Sequence, residues 1–124
     1  MKLTDLAIGD LILINNTPHK IQAIDSIDAE ILADDELYYV GEDRCHSEDK
    51  IEGIPITPEI LEKNGWWYDS DDMWQHEEVG FYIEKWNGRF QCYDINDIKL
   101  DSVHQLQQTL RLCGLNELAD NFKI

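Results

Sequence analysis

Ile54-Pro55-Ile56-Thr57-Pro58-Glu59-Ile60-Leu61-Glu62-Lys63-Asn64-Gly65-Trp66-Trp67 spells out a short helix with both ends marked. Thr57 suits the N-cap, where its hydroxyl oxygen accepts a backbone N–H that has no helical partner. Pro58 suits the first helical position, since its missing N–H would have been unpaired there. Glu59 sets negative charge against the positive end of the helix dipole. Asn64-Gly65 is the stop, with Gly65 able to take the left-handed conformation. Ile60 and Leu61 are expected to face inward, and Trp66-Trp67 to return the chain to the core. The sequence changes character on either side, so this helix reads as the hinge of the fold.

Upstream, Leu11-Ile12-Leu13-Ile14 is a run of branched apolar residues that reads as a buried strand after Leu6-Ala7-Ile8-Gly9-Asp10. Asn15-Asn16-Thr17-Pro18 is turn chemistry, and His19 to Ile24 returns as a second strand. Ile27, Ala29, Ile31 and Ala33 alternate with Asp28, Glu30 and Leu32 and predict a third strand. Asp34-Asp35-Glu36 makes a turn into a fourth, Leu37 to Val40. Short strands with tight turns suggest a small, strongly bent sheet or partial barrel. The polar stretch Gly41 to Gly53 is expected to be an exposed loop.

Downstream, Tyr68-Asp69-Ser70-Asp71-Asp72-Met73-Trp74 reads as an acidic loop and Val79 to Trp86 as a strand. Asn87-Gly88 is a strong hairpin signal, because both central positions of a type I′ turn need positive φ. Arg89 to Tyr93 returns, and Ile95 to Leu100 is a further short strand or the run-in to the last helix. Ser102 and Gln105 form a capping box. Val103, Leu106, Leu110 and Cys113 define the buried face of that helix, with Gln105, Gln107, Gln108 and Arg111 around the rest. Gly114 ends it. Leu115 to Phe122 is a short second helical turn, with Leu118 and Phe122 covering the core edge. The expected fold class is α+β: a small bent antiparallel sheet or SH3-like partial barrel at the N-terminus, a short central helix, a β-hairpin and a C-terminal helix. It is expected to form one domain, with a β lobe over about 1–53 and the remainder over about 54–124.

The opening Ile8-Gly9-Asp10, apolar strand, turn and Lys20-Ile21-Gln22-Ala23-Ile24 resembles SH3-like barrels of the KOW type. Proteins of that type often touch RNA or ribosomal proteins through basic loops. The loops here are acidic, so that use is not carried over. Three segments also resemble a family of small uncharacterised proteins from Bacteroidetes chromosomes, phages and mobile elements. They are Ile54 to Trp66, Val103-His104-Gln105-Leu106-Gln107, and the opening Leu6 to Asp10. A tyrosine is common in that family before the valine, where Ser102 stands. The resemblance implies an origin and an architecture and carries no reaction.

Twenty-six acidic residues face ten basic ones, for a net charge of -16. Phosphate backbones and anionic membranes are disfavoured as direct partners, and a basic partner or a cation is favoured. The plainer use of such charge is solubility. Three cysteines with no CxxC pair argue against a disulfide framework or zinc knuckle and for a reducing compartment. No signal-peptide pattern or membrane-length apolar run is present, so the cytoplasm is the expected location.

The candidate chemistry is thin. His104 would need a carboxylate and a nucleophile to act as a base, and Asp101 is its near neighbour. A histidine hydrogen-bonded between helix and sheet is the favoured reading. Cys45-His46 with His76, Glu77 and Glu78 lacks the paired spacing of a structural zinc site. Asp69, Asp71 and Asp72 resemble the start of a calcium loop, but Trp74 and Gly80 stand where glycine and glutamate are needed. No cofactor and no metal is expected. Trp66, Trp67, Trp74 and Trp86 could line a stacking pocket, although core packing is the simpler use for most of them. Trp74, flanked by acids, is the one expected to be partly exposed.

The leading expectation is a non-enzymatic acidic interaction protein of phage or mobile-element type. It would dock on a basic surface of a host protein, such as a nucleic-acid-binding one, with no direct nucleic acid and no membrane. Its expected contact residues are Asp34, Asp35, Glu36, Asp69, Asp71, Asp72 and Trp74, by charge complementarity with an aromatic anchor. The alternative is a nucleotide-sequestering protein with a tryptophan-lined pocket, although few cations are present to hold phosphate.

Overall fold

The computed structural model of the chain describes residues 2–40, 49–76, 78–93 and 98–124. The chain divides into two units, Met1–Ile54 and Pro55–Ile124.

In the first unit a single 3₁₀ turn, Leu3–Asp5, precedes five antiparallel strands. These are β1 (Leu11–Ile14), β2 (Thr17–Asp25), β3 (Glu30–Ala33), β4 (Glu36–Tyr39) and β5 (Ile51–Gly53), in the order β4-β3-β2-β1-β5. The first half of β2 pairs with β1 and the second half with β3, and the register shifts between Ile21 and Ala23. An irregularity of this kind bends a strand. This is the bent antiparallel sheet expected of the N-terminal part, with β4 and β5 as its edges. Strand alternation sends Ile12, Ile14, Ile21, Ile31 and Ala33 inward, and Leu6 and Val40 complete the core.

Local chemistry sets the turns. Asn15-Asn16 and Asp34-Asp35 are two-residue turns with φ of 51° and 68°, and of 49° and 63°. Asn and Asp are the non-glycine residues that best tolerate that region. Thr17 and Pro18, read above as turn, belong to β2. The third strand begins at Glu30 instead of Ile27. Asp25 Oδ1 accepts the N–H groups of Ile27 (2.9 Å) and Asp28 (3.2 Å), and Ala29 adopts φ 53°. This Asx turn leaves Ile27 at 92% exposure.

The loop expected over Gly41 to Gly53 is corrected at its end, because β5 pairs with β1 through Ile14↔Ile51 and Ile12↔Gly53. Asn15 fixes the approach. Its N–H donates to Lys50 O (2.8 Å), and its Oδ1 accepts the Lys50 N–H (2.9 Å). Positions 41–48 lie outside the described residues.

The second unit opens with α1 (Pro58–Lys63), capped as expected: Thr57 Oγ1 accepts the Ile60 N–H at 3.3 Å. The helix stops at Asn64, and Gly65 takes φ 93°. Four strands form a meander in sequence order: β6 (Trp66–Asp69), β7 (Met73–His76), β8 (Tyr82–Trp86) and β9 (Arg89–Cys92). The acidic loop expected over Tyr68 to Trp74 is therefore a hairpin with only Ser70 to Asp72 at its tip. β8 starts at Tyr82 instead of Val79, after Gly80 turns with φ 64°. Asn87-Gly88 forms the expected tight turn, at φ 51° and 78°. Lys99 bridges to Gln91 alongside β9, while 94–97 lie outside the described residues.

α2 (Val103–Leu112) starts with the capping box: Gln105 Oε1 accepts the Ser102 N–H at 3.1 Å. Val103, Leu106 and Leu110 are buried as expected. Cys113 is not. It is the C-cap residue, one step past the helix, and it is exposed. Gln107, expected on the outer surface, is fully buried because its Nε2 donates to Ala119 O at 3.0 Å. That bond ties α2 to α3 (Asn116–Asp120). Phe122 is buried and Leu118 is half-buried.

Candidate functional site

Neighbouring residues in a strand point to opposite faces, and paired residues share a face. These two rules sort the four-stranded sheet completely. On the inner face lie Trp66, Trp74, His76, Ile83, Phe90 and Cys92, all buried, together with Tyr68 and Lys85, which are exposed. Trp66 packs edge-on to His76 (4.9 Å between centroids) and Phe81 (6.2 Å), and its Nε1–H donates to Phe81 O at 3.1 Å.

The outer face carries two parallel rows. Trp67, Gln75 and Tyr82 are in register across β6, β7 and β8. Tyr93 continues this row, with its ring 6.3 Å from that of Tyr82. Asp69, Met73, Glu84 and Gln91 form the second row. Positions two apart along a strand are separated by about 7 Å, so an aromatic row and a carboxylate row run side by side. Trp86 and Arg89 lie beyond them. Trp67, Tyr93 and Trp86 are 41%, 52% and 60% exposed.

Amides hold the carboxylates. Gln75 Nε2 donates to Asp69 Oδ2 (2.5 Å), and the Ser70 N–H donates to Asp69 Oδ1 (2.8 Å). Gln91 Nε2 donates to Glu84 Oε2 at 3.1 Å. Arg89 on this face is already committed. Its Nε and Nη2 donate to the two Asp101 oxygens at 3.0 and 2.5 Å, and this pairing pushes the guanidinium above its ordinary range.

The sequence-predicted contact residues fall into two groups in different units. Asp34, Asp35 and Glu36 meet at the β3–β4 turn, but they are partly engaged. Asp34 pairs with His19, Gln22 Nε2 donates to Asp35 (3.3 Å), and the Tyr38 hydroxyl donates to Glu36 (3.0 Å). The Glu36 hydrogen bond is the main reason the Tyr38 phenol is held above its usual range. Asp69, Asp71 and Asp72 meet at the β6–β7 tip, with Asp71 and Asp72 at φ 70° and 57° and exposed. Trp74 is corrected. It is only 6% exposed, on the inner face beside Tyr68 (5.4 Å between rings), so it is not an exposed anchor.

The outer-face aromatics, exposed Trp67, Trp86 and Tyr93 with half-buried Tyr82, were missed as a group. Their signal is strand alternation across four paired strands, visible only once the register is known. The tryptophans expected to share a pocket are divided between the two faces. No tryptophan lines the cleft of about 800 Å³ bordered by Lys63, His76, Glu78, Leu115 and Lys123.

His104 is buried, with Nδ1 2.9 Å from Ser102 Oγ. Asp101, the carboxylate considered for it, is taken by Arg89. Cys45, His46 and Glu77 lie outside the described residues. His76, considered as a ligand with them, uses both ring nitrogens in the core. Nε2 bonds Asn64 O (2.9 Å), and Nδ1 accepts the Glu78 N–H (3.2 Å). Among the described residues no three His, Cys, Asp or Glu side chains are arranged to hold a metal ion. No described helix is long and apolar enough to cross a membrane. No protein-family model, curated protein or solved structure matches the chain.

Proposed function

We propose that this chain is a non-enzymatic interaction protein of phage or mobile-element type that docks on a basic surface of a host protein. One observation carries the reading. Asp69, Asp71 and Asp72 crowd the tip of the β6–β7 hairpin, and the same sheet exposes Trp67 and Tyr93 beside a half-buried Tyr82. Charge and anchor therefore share one element, in a chain where acids outnumber bases twenty-six to ten. The charge speeds encounter with a cationic partner, and the aromatics supply the desolvated contact that slows its release.

The test is capture of partners from host extract on the immobilised protein at about 50 mM and about 500 mM salt, between which the screening length falls severalfold. A basic protein is expected to be retained at low salt and released at high salt. The triple variant Asp69→Asn/Asp71→Asn/Asp72→Asn is expected to lose it. Retention that ignores both salt and the variant defeats the proposal.

A further inference from the structure

We infer that the outer face of β6–β9 is a docking surface for an extended protein segment bearing arginine side chains. The inference rests on the proposed function above and narrows it to one face and one side-chain type. An aromatic ring attracts a cation over its π face, and the flat guanidinium stacks on it in a way a lysine ammonium does not. Tyr82 and Glu84 are two residues apart on one strand and point the same way. A guanidinium laid on the Tyr82 ring therefore has a carboxylate beside its N–H edge. The row spacing of about 7 Å matches that arrangement. Trp67 and Asp69 repeat the same ring-plus-carboxylate pair on β6.

The amides from Gln75 and Gln91 hold Asp69 and Glu84 in place, and they leave acceptor capacity on each carboxylate for a forked N–H pair.

Charge selects the occupant. The two rows contain two carboxylates and no cation, and Arg89 beyond them is matched by Asp101. A phosphate-bearing strand would meet repulsion here. A second copy of the chain would bring the same acidic surface, with a net charge of -16 on each molecule. A neutral ligand could donate hydrogen bonds to the carboxylates but would leave their charge uncompensated. A cationic segment is complementary to both rows at once.

The probes are a labelled Arg-Gly repeat peptide of about ten residues and its Lys-Gly counterpart, titrated by fluorescence anisotropy at low salt. The Arg peptide is expected to bind at least about fivefold more tightly than the Lys peptide. Trp67→Ala and Tyr82→Ala should each weaken it about tenfold, within the range of a cation–π contact. Glu84→Gln should weaken it about threefold. Asp34→Asn/Asp35→Asn, in the other unit, should change it by no more than about twofold. Amide shift changes in the unaltered protein should map to Trp67, Gln75, Tyr82, Glu84 and Tyr93. That map decides the matter if an alanine variant fails to fold.

Equal affinity for the two peptides, full binding by Tyr82→Ala, or shifts away from this face would overturn the inference and leave docking on basic surfaces standing. Tighter binding of a neutral oligosaccharide, or self-association through this face, would also overturn it. Failure of both peptides to bind would overturn this inference, while the salt-dependent capture of a basic protein tests the proposed function separately.

Discussion

Replacing Gly65 with alanine tests the geometry on which the second unit is built. Gly65 sits at φ 93°, and a Cβ placed there would lie 2.5 Å from His76 Nε2 and 3.1 Å from two of its ring carbons. The backbone term alone is about 1–2 kcal/mol for an L-residue forced into the left-handed region. The ring must also retreat by roughly 0.9 Å to reach an ordinary contact of about 3.4 Å. It has no easy path, because the Trp66 ring stands edge-on at 4.9 Å. Retreat breaks the His76–Asn64 bond of 2.9 Å and strains the bond from the Glu78 N–H. Each buried hydrogen bond contributes about 0.5–1.5 kcal/mol. The sum is about 3 kcal/mol. At about 4 °C per kcal/mol for a domain of this size, the melting point should fall by about 12 °C.

Urea unfolding followed by tryptophan fluorescence, to which buried Trp66 and Trp74 both contribute, is the assay. Two companion variants separate the terms. Gly65→Asn relieves most of the backbone cost, since asparagine tolerates positive φ, but it keeps the clash. In a His76→Ala background, Gly65→Ala should cost only the backbone term, so the pair should couple by about 1–2 kcal/mol. A Gly65→Ala cost below about 1 kcal/mol, or the same cost with and without His76, would refute the reasoning.

Gln107→Leu keeps the volume of a fully buried side chain but strips the donor from Ala119 O. It should cost about 1–3 kcal/mol and speed amide exchange at Ala119 and Asn121, and unchanged exchange would mean that Gln107 does not tether α3. Glu36→Gln should let Tyr38 ionise at lower pH, followed by the signal of that ring alone. The phenol is raised in the folded state, so its contribution to stability is complete below the ordinary phenol range and is lost as pH rises through the raised value. An unaltered titration would mean that Glu36 is not the cause.

What could be read from residue types alone was whatever local chemistry decides. Thr57-Pro58 and Gly65 mark α1, Asn87-Gly88 closes a hairpin, and Ser102 with Gln105 starts α2; each needs no partner more than a turn away. β5 was not legible, because Ile51 becomes strand by pairing with Ile14, with Lys50 tied to Asn15, more than thirty positions earlier. Gln107 looked like surface because its reason for burial is a carbonyl twelve residues on. Trp74 looked exposed because acids flank it. Those acids sit at a hairpin tip, whereas alternation along β7, with Met73 and Gln75 outward, decides which way the indole points.

The proposed docking face was hidden for the same reason as the direction of Trp74. Trp and Tyr are good strand formers, so propensity alone fits them to either side of β6 and β8. Folding requires the inward set of Trp66, Trp74, His76 and Ile83, and these are the buried ones. It places no such demand on the outward positions, where a threonine would satisfy the sheet equally well and expose less apolar surface. Trp67, Tyr82, Trp86 and Tyr93 all take outward positions on one sheet, with amide-braced carboxylates between them. A surface apolar beyond what its fold requires is the signature of a contact made elsewhere. The carboxylates beside it are the reason a cationic partner is proposed for that contact.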